Sequence, residues 1–275
     1  MCWGISSRMN GIASGRKHVP DQARIEILHQ RYQQQAGWTS SIRKYLLSQC
    51  SLPKNPCVLE VGCGTGVILN EINQQIPGCK CFGIDIDQIA IHFALETFRN
   101  NAYAQSDALS LPFQSQSFDL IFCHFLLLWV KPLDGILKEI FRVLRTGAPF
   151  IAFAEPDYGG RIDFPLELSK LGEWQEQSLQ QEGAHTRIGR ELAHLLTNTG
   201  YKPVRTGVLG GEWGASSMDT EEISTLQRDL IHLKNLHPEE FKKLLDMDRT
   251  SRSSGSRTLF VPTFYAIGYK RNSCN

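Results

Sequence analysis

A glycine-rich turn between an apolar stretch and an amphipathic one constrains this chain more than any other feature. The stretch CVLEVG runs into Glu60-x-Gly62-x-Gly64-x-Gly66, and the helical pattern GVILNEINQQI begins at the last of these glycines. Glycines at a strand-to-helix junction let the backbone turn tightly and let a ligand approach closely. A dinucleotide fingerprint has Gly or Ala at its sixth position, where this chain has Val67. We therefore predict a ligand-binding turn after the first strand, in a form that argues against a nicotinamide or flavin cofactor.

Short apolar runs alternate with helical patterns from Pro53 onward. In order they are CVLEVG, GVILNEINQQI, CKCFGIDI, QIAIHFALETFRNN, DLIFCHF, DGILKEIFRVLR and APFIAFAEP. This alternation predicts βαβ units and hence a parallel, doubly wound α/β sheet. Before Pro53 the apolar spacing predicts helices, with a break or bend at Gly37. Near the end, TLFVPTFYAIGYKR predicts a last strand, with Pro262 at an edge or entry position.

The alternation pauses twice, which divides the chain into six segments. Helical patterns without intervening strands occupy both pauses. We predict an N-terminal helical cap at 1–52, a cofactor-binding half at 53–156, a lid insertion at 157–188, a core helix and strand at 189–215, a helical insertion at 216–257, and a last strand with its tail at 258–275.

Composition and charge exclude several classes of protein. The 275 residues carry 29 Lys and Arg against 28 Asp and Glu, a net charge of +1, so no overall field attracts nucleic acid or anionic lipid. No apolar run approaches the roughly 20 residues that span a bilayer, and the N-terminus lacks the apolar core of a secretory signal. The 8 cysteines show no zinc-ligand spacing and are too sparse for a disulfide scaffold. We expect a cytoplasmic globular protein without metal, nucleic-acid partner or membrane insertion; the sequence does not determine its oligomeric state.

Two carboxylates downstream narrow the class of ligand. Asp85 ends the second predicted strand, where a carboxylate can accept hydrogen bonds from both hydroxyls of a ribose. Asp107 follows in SDALSLPF, and then come SFDLIFCHF and KEIFRVLRTGAPF. With these segments the chain resembles the class I S-adenosylmethionine-dependent methyltransferases, in particular the small-molecule group that includes the ubiquinone and menaquinone methyltransferases. The resemblance covers residues 58–153 closely and residues 189–270 in the order of elements only.

That resemblance implies a Rossmann-like sheet of seven mostly parallel strands with an antiparallel last strand, extended by a helical cap and lid insertions. It also implies S-adenosyl-L-methionine as cofactor and a small-molecule methyl acceptor. In the glycine turn, Gly62, Cys63, Gly64 and Gly66 would wrap the methionine part of the cofactor. Glu60 would orient the turn and the cofactor amine.

The ends of the neighbouring strands carry the other implied cofactor contacts. Asp85 would hold the ribose and Ile86 would pack on the adenine ring. Asp107 would accept from the adenine amino group, with Ala108 beside it. His124 would lie at the end of the fourth strand facing the cofactor, and a packed core histidine fits that position equally. Asp85 as a surface carboxylate and Asp107 as a turn cap are the structural alternatives.

Two further regions are predicted to contact the methionine end or the acceptor. In the cap, Tyr32, Gln35 and Trp38 either reach the methionine end or pack the cap itself. In the first insertion, His185 and Arg187 either recognise an acceptor carboxylate or stand in solvent.

The segment EPDYGGR at 155–161 is the main candidate for the acceptor side, because it follows the fifth strand at the carboxyl edge of the sheet. Glu155 and Asp157 are predicted to bind a cationic amine or to serve as base, and Tyr158 to stack or hydrogen-bond. A solvated loop with a structural Gly-Gly turn is the alternative. His124 is the other candidate base, so His124, Glu155, Asp157 and Tyr158 form the predicted catalytic set.

The predicted reaction is transfer of a methyl group to nitrogen or oxygen of a small molecule by direct in-line displacement. Such a step needs positioning and desolvation more than a nucleophilic residue. Methylation at carbon of a quinone-type or other secondary metabolite is one alternative. A nicotinamide-dependent oxidoreductase is another, against which Val67 and the lack of a Tyr-x-x-x-Lys pair argue. A catalytically silent cofactor-binding partner subunit is the third, with a docking helix within residues 223–245.

Overall fold

One long helix precedes the sheet. In the computed structural model, which describes residues 21–210 and 237–271, α1 spans Asp21–Ser48 without interruption. The predicted break at Gly37 is therefore wrong. The buried stripe of α1 continues past that position, from Leu28 through Ala36 to Leu46. One exposed glycine inside a helix costs only about 1 kcal/mol relative to alanine, which the buried stripe outweighs.

Seven of the strands form the central sheet. The strands of the described residues are β1 (Cys57–Val61), β2 (Lys80–Asp85), β3 (Ala102–Gln105), β4 (Leu120–Cys123), β5 (Pro149–Pro156), β6 (Ile162–Phe164), β7 (Tyr201–Val208), β8 (Thr258–Phe260) and β9 (Thr263–Lys270). The order in the sheet is β3-β2-β1-β4-β5-β9-β7. The first five strands pair in parallel, and β9 pairs antiparallel with both β5 and β7. The predicted seven-stranded, mostly parallel sheet with an antiparallel last strand is confirmed.

The helices alternate with the strands. After α1 they are α2 (Val67–Gln75), α3 (Gln88–Thr97), α4 (Leu133–Val143), α5 (Ser169–Gln181), α6 (Ile188–Thr199) and α7 (Pro238–Ser253). Within the described ranges, none of them combines the length and the apolar character that crossing a bilayer requires.

Both faces of the sheet are buried, which makes the fold doubly wound. Val58 and Ile151 point into one core with residues of α1 and α2. Their neighbours Leu59 and Phe150 point into the other core with residues of α4 and α6. Successive residues of a strand face opposite sides, so strands covered by helices on both sides are apolar at nearly every position. This explains the continuous apolar runs in the sequence.

The predicted last strand is divided in two at Val261 and Pro262. Its first part, β8, leaves the central sheet and pairs antiparallel with β6 in a separate two-stranded sheet. Its second part, β9, enters the central sheet at Thr263. Proline has no N–H to donate to a ladder, so the division falls where the sequence places Pro262.

A buried network of ion pairs joins the two insertions. Asp163 on β6 accepts from Arg161 and from Arg257, each at 2.6 Å. Asp248 on α7 accepts from Arg257 at 2.6 Å and from Arg252 at 2.9 Å. The segments around β6 and α7, which lie far apart in sequence, therefore form one unit beside the sheet. The earlier part of the second insertion, including most of the predicted docking helix at 223–245, lies outside the described residues.

Candidate active site

The glycine turn after β1 adopts left-handed backbone conformations. Gly62, Gly64 and Gly66 have φ angles of 74°, 50° and 80°, which residues with a side chain rarely adopt. A Cβ atom on Gly64 would lie 2.6 Å from the ring of Tyr32, and one on Gly62 would lie 2.5 Å from Leu126. Gly64 is therefore required both by the turn and by the aromatic ring that covers it.

Cys63 and Gly66 fix the turn to the sheet. The Cys63 N–H donates to the carbonyl of Ile84 at 2.9 Å. The Cys63 thiol is buried and would lie 2.8 Å from a Cβ on Gly83, so this side chain faces the sheet and only its backbone is available to the turn. Gly66 immediately precedes α2, and a Cβ there would lie 2.5 Å from the hydroxyl of Tyr103. Gly66 thus permits close packing of helix and strand.

Asp85 connects the end of β2 to the glycine turn. Its two carboxylate oxygens accept from the N–H groups of Gly64 at 2.8 Å and Asp87 at 2.9 Å. Burial raises the pKa of Asp85, and these N–H groups oppose that shift. An ionised carboxylate offers about four lone-pair sites, so each oxygen keeps the capacity to accept from one hydroxyl of a ligand.

An open surface lies beside Asp85 at the ends of β2 and β3. The Ile86 side chain is 60% exposed, which leaves an apolar face for a ring to cover. Asp107 is exposed, and its Oδ1 accepts a backbone N–H two residues further on at 2.9 Å. Ala108 beside it is half-buried. The Ser106 N–H donates to the Asp85 carbonyl at 2.9 Å and so holds the two strand ends together.

Glu60 is a buried acid next to the turn. Its side chain is only 2% exposed, and Oε2 has no hydrogen-bond partner among the described residues. Burial raises the pKa of Glu60 well above its ordinary value. A buried acceptor without a donor is costly, and the amine of a bound aminocarboxylate cofactor is a donor of suitable chemistry. Together with the bare turn and Asp85, this acceptor fits S-adenosylmethionine.

Polar contacts hold α1 against the turn. His29 Nδ1 lies 2.9 Å from the hydroxyl of Thr65 within the turn. Tyr32 covers Gly64, as described above, and the hydroxyl of Thr39 lies 2.8 Å from His124 Nε2. Tyr32 is among the residues predicted from the sequence, whereas His29 and Thr39 are not. Their spacing along α1 puts them on one helix face with Tyr32, which is the signal that identifies them.

His124 is tied to α1 and is held neutral. Burial lowers the pKa of His124 well below its ordinary value, and the nearby Arg43 guanidinium adds to this shift. Arg43 is itself fully buried and donates to Thr39 and to the Glu71 carboxylate of α2. His124 is thus a weak base in this position. Of the other predicted cap residues, Gln35 is buried and Trp38 is 41% exposed.

Glu155 is occupied by backbone groups. Its side chain is fully buried, and its oxygens accept from the N–H groups of Leu126, Leu127 and Leu128 at 3.0, 3.0 and 3.2 Å. Burial raises the pKa of Glu155 to about 7, and the three N–H groups oppose that rise. Its predicted role as base or amine ligand is therefore not supported by its surroundings.

The rest of the segment at 155–161 is also buried or paired. Asp157 is 2% exposed, and both of its oxygens accept from Arg190 on α6. Tyr158 is 3% exposed. The Tyr158 N–H donates to the carbonyl of Thr186 at 2.8 Å. Neither the predicted free acceptor site nor its alternative, a solvated loop, matches this arrangement.

His185 and Arg187 are paired with acids of the same insertion or of α6. His185 Nε2 lies 3.1 Å from Glu191, and Arg187 donates to Glu176 at 3.2 Å. Both predicted recognition residues are thus engaged by neighbouring carboxylates. Among the described residues, no group of three or more His, Cys, Asp or Glu side chains could hold a metal ion.

Comparison with known proteins gives the site its context. Residues 59–152 match the family described as "Methyltransferase domain". The chain is 29% identical over 170 residues to the mitochondrial arginine-hydroxylase NDUFAF5 of Mus musculus, covering 61% of this chain and 45% of that protein. It is 29% identical over 200 residues to the demethylmenaquinone methyltransferase of Roseiflexus castenholzii, covering 67% of this chain and 81% of that protein. The chain spans about half the length of most curated relatives it matches.

A solved structure supports the fold. Phosphoethanolamine N-methyltransferase 2 of Haemonchus contortus, in complex with phosphomonomethylethanolamine and S-adenosylhomocysteine, superposes with a TM-score of 0.56 at 15% identity. The superposition covers 85% of this chain and 53% of that chain. The matched domain contains the glycine turn, Asp85 and Asp107, the residues from which the resemblance was drawn. Residues 59–152 are therefore a methyltransferase domain, and the chain has the fold of the S-adenosylmethionine-dependent methyltransferases.

Proposed function

We propose that this protein binds S-adenosylmethionine at the glycine turn and transfers its methyl group to a nitrogen or oxygen of a small-molecule acceptor. The observation that carries the proposal is the hydrogen bond from the Gly64 N–H to Asp85, at 2.8 Å. It brings the bare backbone of the turn beside a carboxylate that keeps two acceptor sites for ribose hydroxyls. Exposed Ile86 next to it supplies an apolar face for the adenine.

The cofactor contacts divide among the residues as follows. Asp85 holds the ribose, Ile86 and Asp107 hold the adenine, and Glu60 accepts from the amine through its buried, unpartnered oxygen. Tyr32 on α1 covers the turn at Gly64. When bound, S-adenosylmethionine supplies an electrophilic methyl group on a sulfonium centre.

The protein contributes to transfer mainly by positioning and by excluding water. Among the predicted bases, Glu155 is held by backbone N–H groups, Asp157 is paired with Arg190, and His124 has a strongly lowered pKa. The carboxylates of Glu155 and Asp157 are thus engaged by other groups of the protein, and His124 is a weak base. Holding the acceptor lone pair in line behind the methyl carbon can supply several kcal/mol by itself. We infer an acceptor that arrives neutral or loses its proton to water.

The acceptor atom is chosen by residues that the cofactor site does not include. The relatives differ here: one is named an arginine-hydroxylase, one a demethylmenaquinone methyltransferase, and the solved structure is an N-methyltransferase. Methylation at carbon is therefore the main alternative. Asp157 is paired with Arg190 and Glu176 with Arg187, so these two acids are not free to bind a cationic amine, which favours a neutral acceptor.

Calorimetric titration with S-adenosylhomocysteine tests the cofactor site. Asp85→Ala removes an ionised acceptor of two ribose hydroxyls; charged hydrogen bonds are worth about 1.5–3 kcal/mol each, so affinity should fall by about 100-fold or more. Asp134→Ala, an exposed acid on the first turn of α4, is the matched control and should bind like the wild type. Unchanged affinity in Asp85→Ala contradicts the proposed site.

Turnover assays separate the remaining alternatives. Transfer of label from methyl-labelled S-adenosylmethionine to a panel of neutral amines, phenols, carboxylic acids and quinols identifies the acceptor class. Binding of reduced nicotinamide cofactor in place of S-adenosylhomocysteine would support the oxidoreductase alternative. Tight S-adenosylhomocysteine binding with no labelled product from any panel member would support a catalytically silent subunit.

A further inference from the structure

Glu155 on β5 is attached to the loop that follows β4, here called the β4 loop (residues 124–129). One carboxylate oxygen accepts from the N–H groups of Leu126 and Leu127, and the other accepts from Leu128, all within 3.2 Å. The Cys123 thiol, 3.9 Å away, is its only side-chain partner among the described residues. Apart from this thiol, the described donors to the Glu155 carboxylate all belong to the backbone of one loop.

The β4 loop needs such support because its backbone is not in a relaxed form. Phe125 has φ of 52°, in the left-handed region that a bulky side chain disfavours. Its N–H donates at 3.0 Å to the carbonyl of Ala154, the residue before Glu155. At the other end of the loop, the Leu128 carbonyl accepts from the lid residue His185 at 2.7 Å. β5 and the lid together hold the loop in this shape.

The β4 loop forms one wall of the cofactor site. The side chain of Leu126 lies against the glycine turn, 2.5 Å from where a Cβ on Gly62 would be. The loop begins with His124, whose ring is bonded to Thr39 on α1. A change in the loop backbone would therefore move both Leu126, which packs on the turn, and His124, which is hydrogen-bonded to α1.

From this geometry we propose that Glu155 is a positioning residue for the cofactor site. Its carboxylate fixes the three N–H groups, which fixes Leu126 against Gly62 and so keeps the turn in its binding form. The inference rests on the proposed function, since it assigns Glu155 a part in cofactor binding that goes beyond stabilising the fold.

Glu155→Gln is the informative substitution. The amide keeps one oxygen that can still accept, but its nitrogen carries two hydrogens and no acceptor site. In the buried site the amide nitrogen would face a backbone N–H, and two donors cannot hydrogen-bond to each other. At least one of the three hydrogen bonds that hold the loop would therefore be lost. The side-chain volume hardly changes, so packing of the surrounding core is preserved.

The test measures S-adenosylhomocysteine affinity at a temperature where circular dichroism shows each variant to be folded. The variants are Glu155→Gln, Leu126→Ala, the double variant, and Glu173→Gln as matched control, since Glu173 is an exposed acid on α5. We expect the Kd for S-adenosylhomocysteine to rise about tenfold in Glu155→Gln and about tenfold in Leu126→Ala. In the double variant the rise should be little larger than in either single one, because both changes act through the same contact. Glu173→Gln should bind like the wild type.

The results separate positioning from a purely structural role. Wild-type affinity in Glu155→Gln with only a lower unfolding temperature would overturn the proposal, and so would fully additive losses in the double variant. Failure of the wild type to bind S-adenosylhomocysteine would contradict the proposed function instead.

Hydrogen exchange on the wild-type protein gives a second test, independent of whether Glu155→Gln folds. The amides of Leu126, Leu127 and Leu128 should exchange slowly and gain protection when S-adenosylhomocysteine is added. Protection unchanged by the ligand in a protein that binds it would overturn the proposal.

Discussion

Gly64→Ala tests the most constrained position in the cofactor site. Its φ of 50° is left-handed, and adding a Cβ in that conformation costs about 1–2 kcal/mol. The same Cβ would lie 2.6 Å from the ring of Tyr32, so the ring must move away from the turn. Overpacking of this kind costs about 1–3 kcal/mol. The two contributions predict a loss of about 2–5 kcal/mol in the free energy of unfolding, together with weaker S-adenosylhomocysteine binding.

The steric and conformational parts can be separated by urea unfolding. In a Tyr32→Ala background the overlap is absent, so Gly64→Ala should cost only the backbone part, about 1–2 kcal/mol. Gly37→Ala on α1 is the matched control: a Cβ there meets nothing within 4 Å, and alanine should stabilise the helix by about 0.5–1 kcal/mol. Equal losses from Gly64→Ala in both backgrounds would refute the contact with Tyr32.

Three further predictions concern other parts of the chain. Burial raises the pKa of Glu155 from 4.5 to about 7, so the folded state binds this proton more tightly than the unfolded state. The free energy of unfolding of the wild type, compared with that of Glu155→Gln, should therefore be highest below pH 4.5 and fall as pH rises through 7. Urea unfolding at pH 5 and pH 8 should show this as a difference of about 2.5 kcal/mol, and parallel pH curves would contradict it. Arg257→Ala leaves Asp163 and Asp248 without a shared partner and should cost about 3–5 kcal/mol, with faster proteolysis of the lid; a loss below about 1 kcal/mol would contradict the network. Ile86→Ala should leave stability within about 0.5 kcal/mol of wild type yet weaken S-adenosylhomocysteine binding several-fold by calorimetry, and unchanged binding would remove Ile86 from the adenine site.

The sheet and the glycine turn could be predicted because the residues that specify them are close together in the sequence. The run CVLEVG followed by Gly62, Gly64 and Gly66 specifies strand, turn and helix within ten or so residues. Asp85 follows from the next strand in the same way, since the carboxyl ends of parallel strands meet at one edge of the sheet. These are contacts between neighbouring elements, and their residue types are dictated by backbone geometry.

The acceptor side could not be predicted in this way, because its polar partners are distant in sequence. Asp157 is paired with Arg190, and Glu155 bonds the loop about 28 residues earlier. A sequence shows the acids of EPDYGGR but not the groups that neutralise them. Glu155 and Asp157 are therefore predicted as bases from their place at the sheet edge. In the structure Asp157 forms an ion pair and Glu155 binds backbone N–H groups.

The cap shows how a wrongly predicted helix break conceals a pattern of side chains. Tyr32 is predicted as a cofactor contact from the place of the cap in related methyltransferases. The predicted break at Gly37 conceals that one continuous helix face carries His29, Tyr32, Thr39 and Arg43. In the single helix α1, that face carries polar side chains at positions where an ordinary amphipathic helix would carry apolar ones. Such a polar stripe on a buried face is the signal that α1 contacts a site and does not merely cover a core.

The β4 loop contacts both the glycine turn and the lid, so it links the proposed cofactor site to the proposed acceptor side. The lid residue His185 donates its N–H to Leu128, while Leu126 two residues earlier packs on the glycine turn. Arg257 joins Asp163 on β6 to Asp248 on α7, which ties the lid to the second insertion. A displacement of the lid by a bound acceptor would therefore be carried through two residues of backbone to the cofactor turn. On this reasoning Glu155→Gln should reduce any change in S-adenosylhomocysteine affinity that a bound acceptor produces. Calorimetry with and without the acceptor measures this, and an equal change in wild type and variant would contradict it.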